Sequence, residues 1–154
     1  VAGTPTTALT INGSTGVVSG NQINANYADV AERFAADEIY EAGTVVELGG
    51  ANEITRVISD LSDKVFGVIS TRAAYLMNSS AGSDETHPPD AMTGRVPVKV
   101  VGQINKGDRL VSAGNGYARA ALVGEATAFN VIGRSLTAKL DSGEGTVEAI
   151  VTIK

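Results

Sequence analysis

From Glu41 onward, short runs rich in Val, Ile and Thr recur at about ten-residue spacing, and each is closed by a glycine, an Asn-Gly pair or an acidic turn. Thr44–Leu48 and Glu53–Ile58 flank a Gly49–Asn52 hairpin loop, and Asp60–Asp63 is a polar turn into Val65–Ser70. Ala74–Met77 follows as another short run. Gly94–Val101 alternates strictly, with Val96, Val98 and Val100 on one face, as a half-buried strand requires. Pro97 lies on the other face and favours an edge or the start of a strand. Asn115-Gly116 joins Arg109–Ser112 to Tyr117–Ala120, and Asn130–Leu136 and Thr146–Ile153 end the series. No strand-helix-strand alternation appears, which argues against a parallel α/β sheet. The pattern predicts a mostly-β domain, a small barrel or sandwich of about eight to ten short antiparallel strands.

The grammar differs before this point. Residues 1–26 are thin, polar and rich in Gly, Asn and Thr, with apolar positions only at intervals: Leu9, Ile11, Val17, Val18 and Ile23. Asn12-Gly13 between alternating apolar residues signals a hairpin. Strands this short and polar cannot bury a core by themselves. The reading is an extended arm over 1–26 and a β-rich head over 27–154, the arm pairing with neighbouring subunits or with another chain. At the junction, Val30, Ala31, Phe34 and Ala35 fall at helical spacing, so one short helix is expected over Tyr27–Asp37, capped by Asn26.

Composition explains why neighbours are expected. Aromatic residues make up 5% of the 154-residue chain and tryptophan is absent. The interior must therefore rest on Val, Ile, Leu and Ala, and a small lean core is marginal alone. Oligomerisation is one remedy. The formal net charge is −5 with no Lys/Arg cluster, so phosphate neutralisation cannot drive binding and nucleic acid is not an expected partner. Cysteine is absent, which excludes disulfides and thiolate metal sites. No apolar run approaches the ~20 residues a membrane-spanning helix needs, so membrane insertion is not expected.

Chemistry-bearing residues do not assemble into a recognisable constellation. Asp29 and Glu32 would face one another on a helix, but such an acidic pair is ordinarily a solvated face. Asp60, Asp63, Asp84 and Glu85 lack the spacing of a calcium loop, and no metal or cofactor is expected. His87 stands alone in a polar loop, with Ser79, Ser80 and Ser83 in no catalytic order. The glycines form no phosphate-cradling motif. Catalytic residues are therefore expected to be absent. The loop Asn78–Met92 is the longest, and loops of that length are usually functional or disordered. Asn78, Ser80, Asp84, His87 and Asp90 are its candidates for outside contact. Tyr27, Val30 and Phe34 join the arm residues as candidates for the subunit interface.

Several motifs run in a familiar order. Tyr27-Ala-Asp-Val-Ala-Glu-Arg-Phe is followed by Tyr40-Glu-Ala-Gly-Thr-Val-Val, Val65-Phe-Gly-Val-Ile-Ser-Thr and Ala74-Tyr-Leu-Met-Asn. Gly94-Arg-Val-Pro-Val-Lys-Val-Val-Gly and Lys106-Gly-Asp-Arg-Leu-Val come next. Over residues 24–154 this resembles the C-terminal domain of tail-fibre and neck-appendage proteins of tailed bacteriophages, notably those of cyanophages. The resemblance implies a homotrimeric component on the virion exterior, on tail, neck or capsid surface, in contact with other virion proteins and with a host-surface receptor. Some relatives are self-cleaving chaperones, cut just before the Tyr-Ala-acidic motif. Asp29 and Glu32 match their acidic positions, but Asn24-Ala25-Asn26 lacks the serine nucleophile that this covalent chemistry needs. A trimeric capsid-decoration protein, gripping a shell with its polar arm, is the other structural reading.

Overall fold

The computed structural model describes residues 9–20 and 24–152, and all the regular structure among them is β. The arm contributes β1 (Leu9–Ile11) and β2 (Val18–Gly20). The head opens with β3 (Asp29–Arg33), β4 (Val45–Leu48), β5 (Ile54–Arg56), β6 (Val65–Ile69) and β7 (Tyr75–Met77). It continues with β8 (Pro89–Val101), β9 (Arg109–Gly114), β10 (Tyr117–Ala120), β11 (Val131–Ser135) and β12 (Glu144–Thr152).

At 13 residues β8 is long enough to serve two units at once. Its C-terminal part pairs antiparallel with β12, from Val101 opposite Glu144 to Thr93 opposite Thr152. The order then runs β12–β11–β9–β10. β10 returns to β8 through a parallel contact of Ala118 with Val100, which closes a five-stranded barrel. The N-terminal part of β8 lies between β3 and β6, with Ala91 opposite Ala31 on one side and Val68 on the other. β6 carries β4 and then β5 in antiparallel order, and β7 adds to β3 in parallel. The expected barrel of antiparallel strands is thus present, supplemented by two parallel pairings.

The barrel interior needs small, stiff side chains, because five strands enclose little space. Val96, Val98, Val100, Leu110, Ala118, Ile132, Val147, Ala149 and Val151 fill it, all buried. Each fully buried Val or Leu contributes about 1.5–3 kcal/mol. A second cluster, Ala36, Tyr40, Val46, Ile54 and Ile69, lies outside the barrel with Phe34 and Phe66 packed against it. Those two rings meet edge to face at 5.1 Å, and Phe34 stays partly buried against this cluster.

Three expectations are corrected. The helix over Tyr27–Asp37 is strand β3. Its apolar spacing suits a helix, but pairing with both β7 and β8 outweighs a weak local preference. The loop from Asn78 ends at Pro88, because Pro89 opens β8 at a position where proline is tolerated. Pro97 is in the middle of a paired strand. On that side of β8, Arg95 N–H donates to the Ala28 carbonyl at 3.1 Å and Lys99 N–H to the Gly43 carbonyl at 2.8 Å. Pro97 falls between these bonds. Opposite it, Glu148 sends its own N–H to Thr137 Oγ1, so the β12 ladder does not require a donor there.

Candidate functional site

The arm forms the expected hairpin with a different turn. Ile11 pairs with Val18 and Leu9 with Gly20. Asn12 N–H donates to the Val17 carbonyl and Gly16 N–H to the Asn12 carbonyl, both at 2.8 Å. The Asn12 side-chain oxygen accepts from Ser14 N–H at 3.0 Å and Thr15 N–H at 3.2 Å. Gly16, at φ +72°, supplies the left-handed residue, so the turn glycine is not Gly13. Leu9, Ile11, Val17 and Val18 are all at least half exposed on this ribbon. A two-stranded hairpin whose apolar side chains stay half exposed is marginal in water. Ile23, the remaining arm candidate, lies outside the described residues.

The junction is built differently from the expected acidic face. On β3, alternation sends Asp29 and Ala31 inward, while Glu32 points to the opposite face. The two carboxylates therefore do not meet. Asp29 borders a cleft of about 170 Å³ with Ser70, Arg72 and Arg95. Burial pushes its carboxyl above the usual range, and the neighbouring Ser70 hydroxyl offsets part of the rise. Neither Oδ2 of Asp29 nor Oγ of Ser70 makes a well-formed hydrogen bond. Tyr27 stays 44% exposed, with the Arg72 guanidinium 5.1 Å from its ring centroid. Val30 is half-buried beside Tyr75 of β7.

The loop over 78–88 is tied to the head at several points. Asn78 Nδ2 donates to the Arg33 carbonyl at 3.1 Å. The Arg33 guanidinium donates to the His87 carbonyl at 2.6 Å and pairs with Asp84 at 2.7 Å. His87 Nδ1 lies 3.1 Å from Thr86 Oγ1, and no serine hydroxyl bonds to that ring among the described residues. Ser80 and Asp84 are exposed and His87 half-buried. Asp90 is a correction: it belongs to β8 and is wholly buried, so it touches nothing outside. Both its oxygens lack a hydrogen-bond partner, and burial raises its carboxyl well above the usual range. Its carboxylate occupies the place where a Gly67 side chain would be. Among the described residues, no group of three or more His, Asp or Glu side chains is placed to hold a metal ion.

The outer wall of the barrel presents a feature that sequence reasoning missed. Register places Arg95 of β8 opposite Ile150 of β12, Ile150 opposite Arg134 of β11, and Arg134 opposite Arg109 of β9. The result is a row across four strands, arginine–isoleucine–arginine–arginine, at successive spacings of about 4.8 Å. Like charges directly opposite one another destabilise a sheet. Yet none of these arginines, nor Lys106 beside them, pairs with a carboxylate among the described residues, whereas Arg33, Arg56, Lys99, Arg119 and Lys139 all do. Lys106, Arg109 and Arg134 border a groove of about 830 Å³ whose apolar lining includes Val131, Leu136 and Ile150. Phe129, next to this lining in the chain, is 70% exposed. The row was invisible because its members belong to separate strands. The only local signal is outward alternation, as in Arg95 beside buried Val96.

No family model matches this chain, and no curated protein is significantly similar to it.

Proposed function

We propose that this chain is a non-enzymatic structural component of a bacteriophage virion, a trimeric appendage piece of the tail or neck fibre type. In this reading an arm leads into a β-barrel head. The observation that carries it is the arm hairpin, where Leu9, Ile11, Val17 and Val18 lie at least half exposed on a ribbon that is marginal in isolation. Gathering arms around a common axis would cover them with their own copies, at a gain of about 25 cal/mol per Å² of apolar surface removed from water. Ile39, Leu122, Val123, Phe129 and Leu140 add exposed apolar area on the head. The non-enzymatic reading is supported by the placement of Asp29 and Glu32 on opposite faces of β3, and by the His87 ring lying against the neighbouring Thr86 hydroxyl. The pinned loop at 78–88 is the part assigned to outside contact, including a host-surface receptor, because it combines exposed polar side chains with a fixed backbone.

The test is removal of residues 1–26. The truncated head is expected to dissociate at protein concentrations at which the full chain stays trimeric, as read by light scattering after size exclusion. A truncated chain as firmly trimeric as the full one would refute the role given to the arm.

A further inference from the structure

We propose that the arginine row of the barrel wall, with the groove it borders, is the seat for the Glu38–Glu41 segment of a second copy of this chain. The inference rests on the trimeric reading above. The row is a concentration of cations that no carboxylate among the described residues pairs with, in a chain whose net charge is −5. Copies carrying that charge repel one another on average, so a stable contact needs a place where opposite signs meet. The row is such a place.

Charge and shape select the occupant. The row sets aliphatic Ile150 between Arg95 and Arg134, and continues to Arg109. Glu38-Ile39-Tyr40-Glu41 mirrors that order, with an exposed aliphatic side chain between exposed carboxylates. Ile39 is 72% exposed, and the Glu38 and Glu41 side chains are 57% and 84% exposed. Among the described residues these carboxylates form surface pairs, Glu38 with Arg56 at 3.6 Å and Glu41 with Lys99 at 2.7 Å. Exposed pairs of this kind hold weakly and can be shared or exchanged. Several other surface carboxylates are less suited: Asp84 and Glu85 lie in a polar loop, Asp60 and Glu125 are both held by Arg119, and Asp141 is held by Lys139. Groove and segment are different parts of the surface, so the contact is head-to-tail, and such a contact closes into a ring when its rotation permits.

Charge reversal tests this. Arg109→Glu with Arg134→Glu is expected to raise the concentration at which the trimer half-dissociates by at least about tenfold, since like charges would then face one another. Adding Glu38→Arg and Glu41→Arg in the same chain is expected to restore assembly to within a few-fold of the starting protein. Far-UV circular dichroism and melting establish that each variant folds, and Arg109→Gln with Arg134→Gln gives a milder second version of the first change. An unchanged dissociation midpoint in both arginine variants overturns the proposal. So does loss of assembly that the glutamate reversal fails to rescue, because another segment would then occupy the row. If heparin binds the starting protein at this face and the arginine variants stay trimeric, the row serves an external polyanion and the proposal is wrong. A starting protein that is monomeric throughout fails the trimeric reading itself, which is a separate outcome.

Discussion

Replacing Asp90 by Asn is expected to make the protein more stable at pH 8 than the original, while the two differ little at pH 4. Asp90 is wholly buried with both oxygens unbonded, and burial raises its carboxyl well above the ordinary 3.8. The unfolded chain releases this proton near 3.8, whereas the native protein retains it to higher pH. Between those two values the folded state binds more protons than the unfolded state. Stability contributed by the protonated form is therefore complete below the unfolded value and is lost as pH rises towards the folded one, at up to about 1.4 kcal/mol per pH unit. Asparagine keeps the shape and cannot ionise. Subtracting one melting curve from the other cancels the remaining carboxylates, including Asp29, which is raised, and Asp60 and Asp141, which salt bridges lower. The difference in Tm should widen by up to roughly 3–5 °C per pH unit as pH rises above 3.8, and level off once the buried carboxyl ionises. A difference that stays constant from pH 4 to pH 8 would show that Asp90 is not held protonated in the interior.

The second large effect is expected at Gly133, where alanine should destabilise the barrel by about 3 kcal/mol, a fall in Tm of roughly 6–12 °C. A Cβ there would meet the Ile150 carbonyl of β12 and the Val151 backbone, within contact distance. Backbone atoms cannot rotate away as a side-chain tip can. β11 is held on its other side by β9, so the strand has no room to shift outward. Gly13→Ala is the matching control. A methyl group at that glycine would have nothing within 4 Å, and the backbone there is not left-handed, so the replacement should fall within about 0.5 kcal/mol of neutral. Thermal melting of the two variants decides the matter, and equal effects would contradict the strand packing described for the barrel.

Much of the head was legible because its strands carry their own punctuation. Val45–Leu48, Val65–Ile69 and Tyr117–Ala120 fall inside the runs that alternation and turn residues mark. Asn115 and Gly116, at φ +52° and +78°, adopt the paired left-handed turn that Asn-Gly foretells. What escaped was set by distant partners. β3 reads as a helix until β7 and β8 are placed on either side of it. Pro88-Pro89 reads as the middle of a loop, although the second proline begins the longest strand. Asp90 looks like a loop carboxylate because nothing in its neighbours announces that Gly67 leaves a space for it. The candidate surfaces divide in the same way. The arm's apolar residues stand out against polar surroundings, while the arginine row exists only once four strands are in register.

Sedimentation of the full chain over a wide concentration range decides whether the copies gather in threes. One species near three times the 15.7 kDa chain mass is expected, dissociating only on dilution. A cooperatively folded monomer that persists at the highest concentrations, with its arm hairpin uncovered, would contradict it.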